Sequence, residues 1–185
     1  MRIVCSCYIH FRANNTMEAC TINATGVGQY DASEPIEAEN YFELRGDGAK
    51  VDLLAEGDDD GDTGFAVALR PSSELRYPNI RLPAGSAPKA DEALELELTL
   101  HLASAAASGS ASVLASNAAG RLLGSVAVAS TESWTRYNPL SMALKLPRSA
   151  LDEDGDLDLV LSLDSSMTQQ QQGGEVARLK HFTLL

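Results

Sequence analysis

Leu94-Glu95-Leu96-Glu97-Leu98-Thr99-Leu100-His101-Leu102 is the stretch that decides the fold class. Leucine and polar residue alternate without a break. A strand sends successive side chains to opposite faces, so this pattern lines one face with leucine and the other with Glu95, Glu97, Thr99 and His101. Wound as a helix, the same leucines would scatter round every side. The segment reads as one long, half-buried strand.

Working outward, further strands are expected at 36–40, 51–54, 65–69, 75–82, 111–116, 122–129, 139–146, 157–163 and 176–184. Turn signals separate them: Gly46-Asp47-Gly48, the Gly57 to Gly64 stretch, Pro83-Ala84-Gly85, Asn117 to Gly120, Asp154-Gly155 and Gly173-Gly174. Ala103–Ala107 has helix propensity, but Ser108-Gly109-Ser110 ends it at once, so it reads as a hairpin loop. Gln169–Gln172 reads as a solvated polar loop. About ten short strands with turn-rich connections predict an all-β fold, an antiparallel β-sandwich. Residues 1–32 lack this patterning and read as an upstream segment or linker; residues 33–185 read as the sandwich module.

The chain has 185 residues, 14 Lys and Arg against 26 Asp and Glu, and a formal net charge of -12. The basic residues are scattered singly, so no nucleic-acid partner is expected. Nor is a membrane partner, since no apolar run reaches the roughly 18 residues of a spanning helix. The first twenty residues do not read as a signal peptide, because Ser6, His10, Arg12 and Asn14 interrupt the apolar run. Cys5, Cys7 and Cys20 all precede the strand pattern. With His10 they match no common zinc spacing. Asn14 and Asn23 open glycosylation triplets.

Ten of the 26 acids fall in two runs, Glu56–Asp62 and Asp152–Asp158. Such loops offer hard oxygens to calcium, but neither fits the EF-hand loop, and a solvated turn accounts for both. Nucleophilic catalysis has little footing: there is no Gly-x-Ser-x-Gly elbow and no phosphate-cradling glycine loop. Trp134, the single tryptophan, follows the polar loop Ser130-Thr131-Glu132-Ser133. A flat aromatic beside polar groups suits stacking on the apolar face of a sugar, and core packing is the competing reading.

Ile36-Glu37-Ala38-Glu39-Asn40-Tyr41 resembles the opening motif of family 6 carbohydrate-binding modules. More of the pattern follows in order: Gly64-Phe65, Leu75-Arg76-Tyr77 through Pro83-Ala84-Gly85, Leu96–Ser104, Leu123-Gly124-Ser125-Val126, Ser133-Trp134-Thr135-Arg136-Tyr137, and Glu175–Phe182. The resemblance runs from about residue 30 to 185. It implies a jelly-roll β-sandwich that binds polysaccharide without cleaving it, in a lectin-like end-loop site, tethered to a catalytic domain that degrades glycans. A secreted, extracellular or cell-surface setting follows, as part of a longer exported chain.

Residue by residue, the resemblance puts Phe65 and Trp134 at the two stacking aromatics and Asp52 at the acid, with Glu56 competing. Tyr137 falls at a further aromatic position that also suits packing at a strand start. Arg178 stands where the family has Asn. Arg offers donors only, in a planar fork, which would suit a carboxylate or sulfate on the glycan, or a pair with Asp52. The family's structural calcium would fall on Glu37 and Glu39. Its closing Asp is replaced by Lys180, so a salt bridge from Lys180 to either glutamate is the alternative to the ion. Two other functional classes remain: a structural or adhesive sandwich whose sugar site has decayed, and a jelly-roll lyase or hydrolase drawing on His101 and Tyr77.

Overall fold

The structure is a computed structural model; it describes residues 29–45, 50–53, 65–71, 73–83, 88, 92–106, 111–164 and 175–185, with backbone alone at 50–53. The cysteines, the Glu56–Asp62 run, the Ser108–Ser110 turn and the Gln169–Gln172 tract lie outside the described residues.

Twelve strands are described: β1 (Tyr30–Asp31), β2 (Ile36–Glu37), β3 (Glu43–Arg45), β4 (Lys50–Leu53), β5 (Phe65–Leu69), β6 (Glu74–Arg81), β7 (Ala93–Ser104), β8 (Ser112–Asn117), β9 (Leu122–Ala127), β10 (Ser133–Pro147), β11 (Leu157–Leu163) and β12 (Ala177–Leu184). Among the described residues there is no α-helix. One sheet runs β1-β6-β11-β8-β9, with β3 also on β6; the other runs β10-β7-β12-β5-β4, with β2 also on β12. All recorded pairings are antiparallel except β1 with β6. The chain crosses repeatedly between the two sheets, giving the expected jelly-roll sandwich.

The leucine alternation is realised in β7. Leu96, Leu98, Leu100 and Leu102 are buried in the core, while Glu95 and Glu97 face solvent. β11 repeats the pattern with Leu157, Leu159, Leu161 and Leu163. The two leucine faces meet round an aromatic centre. Tyr77 packs edge-to-face on Phe182 at 4.8 Å and on Tyr30 at 5.8 Å between ring centroids. Through Tyr30 and the buried Ala32, the sandwich takes in residues just upstream of its opening motif.

Three local differences from the sequence pattern have physical causes. The expected strand at 36–40 stops after Glu37 and tightens into a 3-10 turn at Ala38–Asn40. Tyrosine hydroxyls hold that turn: the buried Tyr77 donates to the Ala38 carbonyl at 2.7 Å, and Tyr30 donates to that of Asn40. β10 begins six residues earlier than expected, at Ser133, because its pairing to β7 continues past an irregularity between Ser133 and Asn138. β9 ends early, at Ala127. It lies so close to β10 that a Cβ on Gly124 would sit 2.6 Å from the Ala143 carbonyl oxygen.

Candidate functional site

The site residues belong to the second sheet, where β10, β7, β12 and β5 lie side by side. Arg178 of β12 stands opposite Ala103 of β7 on one side and Ala68 of β5 on the other. Small residues there leave room above the strands. The Arg178 guanidinium carbon lies 5.7 Å from the Trp134 ring centroid, a cation–π contact. Its Nε also donates to a carboxylate oxygen of Glu175, three residues before it. Both partners of this ion pair are mostly withdrawn from solvent, with side-chain exposures of 22% and 18%.

A buried polar network fixes the loop that carries Trp134. Ser104, fully buried at the end of β7, donates its hydroxyl to the Val176 carbonyl at 2.7 Å. Its backbone N–H donates to the Thr131 hydroxyl at 2.9 Å, and that hydroxyl donates to the Ser133 carbonyl at 2.8 Å. The Thr131 N–H donates to the Ser104 carbonyl. One serine thus ties the segment before Trp134 to the segment before Arg178. Glu132 adopts a left-handed φ of 59° in this loop. Burial makes such bonds obligatory, since a buried donor or acceptor left alone costs about 1–3 kcal/mol.

Trp134 is half-buried, rather than sunk in the core as the decayed-site reading requires. Phe65 is 39% exposed at the start of β5. It lies three residues before the Ala68 that faces Arg178, about 10 Å along the strand at the usual rise per residue. Tyr137 is only 6% exposed and packs with Ala66 and Ala103, the packing role its position allowed. The Lys180 ammonium lies 5.8 Å from the Tyr137 ring centroid. Asp52 stands opposite Ala66 in backbone register, and its side chain lies outside the described residues. Arg178 and Trp134 are therefore brought into contact. The acid on Arg178 in the described structure is Glu175, a residue that the sequence reading passed over. Its signal was available only as spacing, a carboxylate three residues ahead of a cation on a strand, which is not a spacing that brings side chains together in a regular strand.

The second cluster is the 3-10 turn. Glu39 Oε2 is buried without a hydrogen-bond partner. Burial first, then the like charge of Glu37, holds the Glu39 carboxyl above its ordinary pKa. Carboxylate and carbonyl oxygens are the hard donors calcium takes, so Glu37, Glu39 and the turn fit such an ion as a partial shell. Among the described residues no group of three or more His, Cys, Asp or Glu side chains forms a metal cluster.

The two residues named for catalysis lie in different settings. Tyr77 is wholly buried with its hydroxyl committed to Ala38, and the His101 ring stacks on His181 at 4.1 Å. A depression of about 160 Å³ lies on the opposite sheet, lined by Glu43, Arg45, Glu74 and Arg76. Both of its arginines are ion-paired: Arg45 with Glu43 at 2.8 Å, and Arg76 with Asp158 at 3.0 Å. Among the described residues no helix is long and apolar enough to cross a membrane.

No protein-family model and no curated protein matches the sequence. Solved structures do. A β-1,3-glucan-binding family 6 carbohydrate-binding module from Bacillus halodurans superposes with a TM-score of 0.61 and 19% identity, covering 85% of this chain and 98% of that one. A family 6 module from Clostridium stercorarium, solved with cellobiose, gives 0.59 and 18%, covering 85% and 96%. A family 43 arabinoxylan arabinofuranohydrolase from Bacillus subtilis, solved with cellotetraose, gives 0.56 and 11%, covering 85% of this chain but 28% of that one. The fold of this chain is that of the family 6 carbohydrate-binding modules.

Proposed function

We propose that this chain is a noncatalytic polysaccharide-binding module that carries an attached glycan-degrading domain to its substrate. The observation that carries the reading is Trp134: a half-buried indole, held from one side by Arg178, on a loop locked by Ser104 and Thr131. A sugar stacks on such a ring at little ordering cost, because the platform is already fixed. Phe65 is the second, exposed aromatic, and Asp52 the accompanying acid. The solved structures of the same fold support the reading through what their own descriptions state: one binds β-1,3-glucan, one holds cellobiose, and one belongs to a larger hydrolase.

Tethering explains why a weak site suffices, since it raises the local concentration of the attached domain at an insoluble substrate. Stacking with a few hydrogen bonds gives dissociation constants of about micromolar to millimolar. An extracellular setting belongs to the same proposal, as does a calcium ion at Glu37 and Glu39 that satisfies the orphaned Glu39 oxygen. The test is affinity electrophoresis and calorimetry on β-1,3-glucan, xylan and cello-oligosaccharides, with Trp134 emission as the local readout. Binding with a shift of that emission is expected. Failure on every glycan, or binding that leaves Trp134 unchanged, overturns the reading.

A further inference from the structure

We propose that Glu175 sets the charge selectivity of the Trp134 site. By pairing with Arg178 it makes the site accept uncharged glycans and turn away uronates and sulfated sugars. The inference rests on the carbohydrate-binding reading for its biological meaning, but its chemistry is testable apart from it.

An arginine beside a stacking tryptophan is, on its own, a receptor for anions. Its planar fork matches a carboxylate or sulfate bidentately, and the ring presents the sugar alongside. Here a carboxylate already occupies that role. Glu175 takes the Arg178 Nε, and the two side chains are withdrawn from water to similar extents. Partial burial strengthens the pairing, because a low local dielectric weakens screening. Glu175 is also held in place from behind. The next residue, Val176, is 3% exposed, and its carbonyl accepts the Ser104 hydroxyl.

The pair changes what the site can recognise. A guanidinium alone supplies only donors. Guanidinium and carboxylate together supply donors and acceptors, which is what a vicinal pair of sugar hydroxyls requires. An anionic sugar, by contrast, meets a carboxylate where it needs a cation, on a chain whose formal charge is already -12. Glu175 is thus a specificity-determining residue that works chiefly through Arg178.

The experiment uses glucuronate and inorganic sulfate as probes, titrated into the whole chain while Trp134 fluorescence is followed. Trp134 is the single tryptophan, so the signal comes from the ring that Arg178 touches. The wild-type protein is expected to respond to neither anion below the range of non-specific salt effects. Glu175→Gln, which keeps the shape and removes the charge, is expected to bind both at least about tenfold more tightly, as loss of a charge-assisted partner implies. Glu175→Gln with Arg178→Gln is expected to lose that gain. Equal anion responses in wild type and Glu175→Gln overturn the proposal, as does a gain that survives the second substitution. Neutral glycan binding is measured in parallel: its failure in the wild type removes the polysaccharide reading, while the anion titration still decides whether Glu175 holds Arg178.

Discussion

At the Trp134 corner, the almost wholly buried Ser104 and Thr131 hand hydrogen bonds from β7 to the loop and on to β12. At the Glu39 corner, on the same sheet, tyrosine hydroxyls hold the backbone of the 3-10 turn just as firmly, but the carboxylate between them has a buried oxygen with no partner. At the first corner the Ser104 and Thr131 hydroxyls find all their partners within the chain. The other is closed in its backbone and open in its charge. The difference separates a hydroxyl network that the chain completes itself from a carboxylate oxygen that no group of the described chain meets, and that contrast can be broken at either corner.

The largest effect is expected at the ring itself. Trp134→Ala removes the stacking surface, and neutral oligosaccharide affinity should fall about thirtyfold or more, in line with about 2 kcal/mol for a fully used aromatic. Calorimetry with a cello- or xylo-hexaose measures it. Near-wild-type unfolding in urea should accompany the loss, because Trp134 stands at the rim and outside the leucine core. A variant that binds as before would show that this corner is only scaffold.

Ser104→Ala attacks the closed network instead. It changes the volume little but removes the donor to the Val176 carbonyl and the acceptor that Ala106 uses at 3.2 Å. The stability loss should be about 2 kcal/mol, the usual penalty for buried polar groups left alone, with weaker glycan binding as the Trp134 loop loosens. Urea unfolding followed by circular dichroism reads the first, calorimetry the second. Unchanged binding with lowered stability would uncouple the network from the platform. Tyr77→Phe makes the matching cut at the Glu39 corner. It removes one hydrogen bond to Ala38 inside the core and should cost about 1 kcal/mol.

The sequence pattern carried the sandwich for a definite reason. In β7 and β11 one face is buried and the other is not, so period-2 alternation is written directly into the leucines. The early stop of β2 was illegible because its cause, tyrosine hydroxyls arriving from 30 and 77, is tertiary. The site divides the same way. Trp134 showed itself by composition, a lone indole after a polar loop, and Arg178 by its place in the closing motif. Glu175 did not, because its meaning depends on a contact with Arg178 that no strand periodicity encodes. Ser104 and Thr131 were equally silent: hydroxyl residues are common in loops, and only burial turns these two into a lock.

The smallest effect is the most discriminating for the open corner. The Glu39 carboxyl has its pKa raised above the ordinary glutamate value, chiefly by burial and then by Glu37, so the folded protein holds this proton more tightly than the unfolded chain does. Over the window from the folded pKa down toward the ordinary glutamate value, the folded state binds more protons, and stability must rise as pH falls through it. Below that window both states are protonated and Glu39 adds nothing further. Glu39→Gln stays neutral throughout. In chelator at neutral pH it should be the more stable protein, by less than about 1 kcal/mol because the carboxylate is only half-buried and partly screened. That advantage should shrink as the pH approaches the ordinary glutamate range. Taking the difference between the two proteins at each pH cancels the titration of the other acids, which makes so small an effect measurable by urea unfolding. Calcium should reverse the order, raising the midpoint of the wild type and leaving Glu39→Gln where it was, since only a carboxylate with an unmet oxygen gains from the ion. A difference that is flat across pH, with no response to calcium in either protein, would mean that the buried oxygen is satisfied by water, and the contrast between the two corners would disappear.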